Sequence, residues 1–67
     1  MEVTINGKLY SFGEEPTVED ALRRVNVRLE EGIAVAVNFT VVPRDELPRV
    51  RLKHGDKLEV IHATAGG

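Results

Sequence analysis

Few residues of this 67-residue chain could perform catalysis. His54 lies beside a Gly-Asp turn, and His62 lies in an apolar run near the end of the sequence. The two histidines lack the i, i+4 helical spacing of a metal site, and no carboxylate between them is arranged for acid–base work. Ser11 has no base at a plausible position, and paired acids such as Glu14–Glu15 and Glu30–Glu31 are typical of solvated loops. We therefore expect no catalytic residue and no metal site, with His54 exposed in a turn and His62 at a sheet edge.

The composition excludes several classes of protein. The chain has no cysteine, which excludes disulfides, thiolate metal sites, iron–sulfur clusters and a cysteine that carries sulfur. Its longest apolar run, Ile33–Val37, is far shorter than the ~20 residues of a membrane span, and no secretory signal is recognisable. Eleven acids and nine bases are interspersed, unlike the basic patch of a nucleic-acid binder. We expect a cytoplasmic protein with neither a nucleic-acid nor a membrane partner.

The remaining candidate for chemistry is the end of the sequence, where Thr64, Ala65, Gly66 and Gly67 follow an apolar run. Glycine contributes no side chain to packing and loses more backbone entropy on ordering than any other residue. We therefore expect residues 1–67 to form a single domain with a flexible C-terminal tail at 64–67. A tail without bulk can be threaded into a narrow cleft of a partner protein. The alternative is that the tail is an inert, disordered terminus.

A terminal glycine carboxylate is suited to activation by another protein. Gly67 has no Cβ to hinder attack at its carbonyl carbon. A free carboxylate is a poor electrophile, but adenylation would replace an oxide with a phosphate leaving group. Addition of sulfur would then give a terminal thiocarboxylate. A chain without cysteine could carry sulfur in this way.

The first half of the sequence predicts a hairpin and a helix. Residues 1–5 alternate between apolar and polar, Asn6–Gly7 is a two-residue turn signal, and residues 8–12 return as a second strand. The buried face of that second strand stays undetermined. Thr17 and Asp20 form a predicted capping box that begins a helix at Val18, and Asn26 can end the helix in the left-handed conformation.

The second half predicts three more strands. Residues 32–38 are small and β-branched, as in an interior strand, and residues 39–42 can pair back as a short strand. Residues 43–48 predict one helical turn, and residues 57–63 predict the last strand. The last strand can lie parallel to the first in the middle of a mixed sheet of four to five strands. With the helix packed across one face, this is an α+β fold.

Three stretches resemble the ThiS family, the ubiquitin-like sulfur carriers of thiamine biosynthesis: "MEVTING" at the start, "AVNFTVVPRDEL" at 36–47 and "GDKLEVIHATAGG" at 55–67. The resemblance implies a β-grasp fold and a ThiF-like adenylyltransferase that uses ATP to activate Gly67, with no cofactor bound to the carrier itself. It also implies that sulfur arrives through a cysteine desulfurase relay. The thiocarboxylate would then donate sulfur to a ThiG-like thiazole synthase.

Other functions stay open beside this resemblance. The small subunit of molybdopterin synthase and the carriers for tRNA thiolation or protein conjugation also end in two glycines, although the Val-Pro-Arg segment favours the thiamine carrier. A plain β-grasp interaction module with an inert tail is a rival of a different class.

We expect one sheet face to carry an apolar docking surface that includes Ile61 and Phe39. Phe39 follows Asn38, where the family often has a small or polar residue. A bulky side chain is unfavourable in a tight turn there and would present an aromatic ring to a partner.

Overall fold

The predicted strands form one mixed sheet in the computed structural model, which describes residues 1–28 and 32–62. Within these residues the sheet has five strands in the order β2-β1-β5-β3-β4. The elements are β1 (Glu2–Ile5), β2 (Lys8–Ser11), α1 (Val18–Arg24), β3 (Ile33–Val37), β4 (Thr40–Val42), a 3₁₀ turn (Arg44–Glu46) and β5 (Lys57–His62).

The last strand lies in the middle of the sheet, as predicted. β5 runs parallel to β1, with Ile5 beside Leu58, and antiparallel to β3, with Val35 opposite Val60. Since paired residues share a face and side chains alternate along a strand, Ile5, Leu58, Val60 and Val35 all point toward the same side. That side is covered by α1, and the opposite side is called the open face below.

The helix begins where its capping box predicts. The Thr17 backbone N–H donates to a carboxylate oxygen of Asp20 at 3.1 Å, and the Asp20 backbone N–H donates to the Thr17 hydroxyl at 3.1 Å. The backbone hydrogen bond from Thr17, with a smaller effect from its side chain, holds the pKa of the Asp20 carboxyl below its usual value. After the helix, Asn26 adopts a φ of 58°, the left-handed conformation that ends many helices.

The core lies between α1 and the sheet. Leu22 of the helix and Leu58 of β5 are almost fully buried, together with Leu47 and Leu52 from the segment between β4 and β5. That segment also closes the start of the helix, because the N–H groups of Val18 and Glu19 donate to the carbonyls of residues 50 and 47. The other buried hydrophobic residues of this core are Val3, Ile5, Val18, Ala21 and Val35.

The turn between β1 and β2 also holds the central strand. Asn6 and Gly7 have φ values of 52° and 83°, as the Asn-Gly turn signal predicts. The chain turns away from β5 at this point. The Asn6 side chain continues the hydrogen bonding between β1 and β5, because its oxygen accepts a hydrogen bond from the Val60 N–H at 2.8 Å. This bond fixes β5 two residues before its end at His62.

No helix in the described ranges is long and apolar enough to span a membrane.

Candidate docking face and tail

The open face of the sheet carries a stripe of apolar residues. Ile61 of β5 lies opposite Ala34 of β3, and Ala36 of β3 lies opposite Val41 of β4. Ile61 is 46% exposed and Val41 is 60% exposed. These four residues, which we call the apolar stripe, therefore run diagonally across three strands on the side away from the helix.

Ile61 is exposed beside the predicted tail. It is the penultimate residue of β5, which ends at His62. A protein that binds the residues after His62 would therefore be close enough to contact Ile61 and Ala34. Thr64, Ala65, Gly66 and Gly67, the residues predicted to enter a partner and to be modified, lie outside the described residues.

Phe39 is even more exposed, at 82%, but the structure does not bring it next to Ile61. It lies in the turn beyond Val37, whereas Ile61 lies opposite Ala34 near the start of β3. Ala34 and Val37 are three positions apart, which is about 10 Å at the rise of a strand. The two predicted docking residues therefore lie toward opposite ends of the apolar stripe.

The turn that carries Phe39 is tight in spite of the bulky side chain. Asn38 and Phe39 have φ values of 49° and 68°, and Val37 pairs directly with Thr40. Two consecutive positive φ values are the mark of a type I′ hairpin turn. The bulk of Phe39 therefore strains the turn rather than opening it.

Asn38 fastens this turn to the start of β5. Its side-chain oxygen accepts a hydrogen bond from the Lys57 N–H at 2.9 Å, and its amide donates to a carboxylate oxygen of Asp56 at 3.0 Å. The other Asp56 oxygen accepts from the Lys53 N–H at 2.7 Å. These hydrogen bonds fix the turn that carries Phe39 against the segment that leads into β5.

Val41 and Leu9 are exposed apolar residues that the sequence did not single out. The run of valines in β4 shows no alternation that would assign a face to Val41. In β2 both phases carry a large residue, and the register decides between them: Tyr10 pairs with the buried Val3, and Leu9 is 58% exposed. The alternation along β2 predicts that Leu9 and Tyr10 lie on opposite faces of the sheet. Only the pairing with β1 shows that Leu9 is on the open face.

His54 lies in a turn, as predicted, but the prediction that His62 lies at a sheet edge is wrong, because His62 belongs to β5, the central strand of the sheet. His54 is exposed in the turn before β5, and its Nδ1 accepts a hydrogen bond from the Glu2 N–H at 3.0 Å. His62 is exposed at the end of β5. No group of three or more metal-ligating side chains occurs within residues 1–28 and 32–62. His54 therefore has a structural contact, linking the start of β1 to the turn that leads into β5.

Comparison with known proteins identifies a family over almost the whole chain. The model of the ThiS family matches residues 3–67. A crystal structure of a thiamine biosynthesis protein (ThiS) from Geobacter metallireducens superimposes with a TM-score of 0.83 at 30% identity, over 100% of both chains. A solution structure of a thiamine biosynthesis protein from the same organism gives a TM-score of 0.75 at 29% identity, over 100% of this chain and 88% of that one. These structures confirm the predicted β-grasp fold.

One curated relative is an enzyme. Thiazole synthase of Paramagnetospirillum magneticum contains a segment 34% identical to this chain over 67 residues. The similarity covers 100% of this chain but 20% of the relative. This chain therefore spans about a fifth of the length of that relative.

Proposed function

Because the chain belongs to the ThiS family, we propose that it is the sulfur carrier for the thiazole of thiamine. The observation that carries this proposal is the extent of the family match, which runs through the terminal Gly-Gly. The thiazole synthase relative supports the thiamine pathway over molybdopterin synthesis or tRNA thiolation. In this function the chain is a co-substrate that partner enzymes modify.

The chemistry takes place at the Gly67 carboxylate. A ThiF-like adenylyltransferase binds ATP. An oxygen of the Gly67 carboxylate attacks the α-phosphorus of the ATP, and pyrophosphate leaves. Sulfur from a cysteine desulfurase relay, delivered at the oxidation level of sulfide, then attacks the carbonyl carbon and expels AMP. The resulting thiocarboxylate donates its sulfur to a ThiG-like thiazole synthase.

The fold contributes a rigid base for this chemistry. Tail residues Thr64, Ala65 and Gly66 thread into the partner and present Gly67, while Ile61 and the apolar stripe dock against its surface. The bond from the Val60 N–H to Asn6 supports this arrangement, since it holds the strand from which the tail begins. An exposed apolar surface that contains several large side chains is typical of a partner site.

A mass measurement tests the carrier function. Incubated with the adenylyltransferase, ATP and a sulfur source, the protein should gain the mass difference between sulfur and oxygen, located at Gly67 by fragmentation. Deletion of Gly66 and Gly67 should abolish the gain, and Gly67→Val should slow it severely because the branched side chain crowds the carbonyl. As a control, the deletion variant should keep the melting temperature of the parent, since its core ends at Leu58 among the described residues. A full mass gain in the deletion variant would refute the proposal.

A further inference from the structure

Phe39 lies in a conformation that is unfavourable for its residue type. A φ of 68° belongs to the left-handed region, where a non-glycine side chain costs free energy and a bulky residue is a true outlier. Type I′ turns favour Asn-Gly for this reason. Asn38 follows that preference and Phe39 does not, which makes the second residue of the turn the anomalous one.

Packing within the described residues does little to compensate for this strain. The Phe39 side chain is 82% exposed, the highest value among the large exposed hydrophobic residues of the described ranges. Exposure of a phenyl ring to water is itself unfavourable. A residue that is strained and also solvated points to a role outside the fold, since strained backbone tends to persist at functional sites.

We infer that Phe39 is a recognition residue that the activating adenylyltransferase takes into an apolar pocket, an inference that rests on the proposed carrier function. Large aromatic side chains supply most of the binding energy in many interfaces when a partner encloses them. Phe39 lies in the turn that leads into β4, two residues before Val41 of the apolar stripe, and Asn38 fixes this turn through Lys57 and Asp56. The ring is therefore a preorganised anchor at the end of the stripe farther from the tail.

The thiazole synthase relative favours the adenylyltransferase, rather than the synthase, as the partner that binds Phe39. In the thiazole synthase of P. magneticum this segment belongs to the same polypeptide as the enzyme. A covalent connection supplies a high effective concentration without any surface contact. When the carrier segment and the thiazole synthase are covalently connected, the synthase does not need to recognise the carrier surface. The adenylyltransferase, which is a separate protein, still has to recognise that surface.

The variant Phe39→Gly separates recognition from folding. It restores the favoured Asn-Gly turn, so the melting temperature should stay the same or rise. In a steady-state assay of pyrophosphate release by the adenylyltransferase, the KM for the carrier should increase by about tenfold or more, in the range of interface hot spots. The kcat should change little, because the Gly67 carboxylate is unaltered. Phe39→Leu, which keeps an apolar side chain in the strained turn, should give an intermediate KM.

Leu9→Ala serves as the matched control, because Leu9 is exposed on the open face but belongs to the opposite edge strand. Its KM should equal that of the parent. An unchanged KM for Phe39→Gly would overturn the inference, and so would a fall in melting temperature, which would assign Phe39 a structural role. Failure of the carrier function is distinguishable, because the parent protein would then release no pyrophosphate.

Discussion

Asp20 combines two tasks at the start of the helix. Its carboxylate accepts a hydrogen bond from the Thr17 N–H, and its own N–H donates to the Thr17 side chain. An acidic residue in the first turn also interacts favourably with the positive end of the helix dipole. The ionised form of Asp20 is therefore the form that the folded protein favours.

The lowered pKa of Asp20 predicts a specific loss of stability in acid. Because the folded-state pKa lies below the ordinary value of 3.8, ionised Asp20 stabilises the fold at pH values above the unfolded-state pKa. This contribution decreases as the pH falls through the lower, folded-state value. Asp20→Asn keeps the shape of the side chain but does not titrate. Urea unfolding of both proteins should show a difference in stability at neutral pH that shrinks below pH 4, and a difference independent of pH would contradict the assignment.

Single residues were predictable where the signal was local. Thr17 and Asp20 are three positions apart and satisfy each other, so the capping box was visible in the sequence and is confirmed. Asn26 ends the helix in the left-handed conformation, also as predicted. The φ of Phe39 was not predictable, because phenylalanine disfavours that conformation. There the pairing of Val37 with Thr40 imposes the turn on the residue.

Elements joined across the sheet depend on side chains as well as on backbone pairing. Asn6 resembles Asn26 in having a positive φ, but its side chain also accepts the Val60 N–H. The Asn26 side chain has no hydrogen bond within the described residues. The two asparagines thus form a natural pair in which only one carries an additional contact.

Replacing each asparagine with alanine isolates that contact. Both variants place alanine in the left-handed region, at a cost of roughly 1–2 kcal/mol each. Asn6→Ala should lose about 1 kcal/mol more, since it also removes one hydrogen bond. Urea midpoints at equal m-values measure the difference. Equal losses would mean that the bond to Val60 contributes nothing to the stability of β5.

The order of the elements followed from sequence, but their register did not. Turn residues, apolar periodicity and the β-branched run at 33–37 predicted the strands and helix because each signal lies within one element. The face of β2 depends on which residue lies opposite Val3, and that pairing is a long-range property. For the same reason the sequence placed Ile61 on the docking face but missed Val41, which joins it only through the pairing of Ala36 with β4.

Across the described part of the molecule, the residues that form the core differ from the large exposed residues of the proposed docking face. The buried hydrophobic residues of the described part lie between Val3 and Leu58, and on its helix-covered side the sheet is packed. Large side chains on the open face lie in water instead. A domain of this size has a free energy of unfolding of only about 3–10 kcal/mol. A surface that contributes little to that stability can change without unfolding the protein.

Ile61→Lys tests this separation at the end of the proposed docking face that lies nearer the tail. Because Ile61 is 46% exposed, the change should alter the free energy of unfolding by less than about 0.5–1 kcal/mol. A charge placed in a desolvated apolar contact is costly, so adenylation of Gly67 by the partner enzyme should fall by about tenfold or more. Leu9→Lys adds the same charge to the same face at the far edge strand and should leave adenylation unchanged. Equal losses in the two variants would indicate a general effect of charge, and loss of the fold in Ile61→Lys would show that β5 needs this side chain for stability.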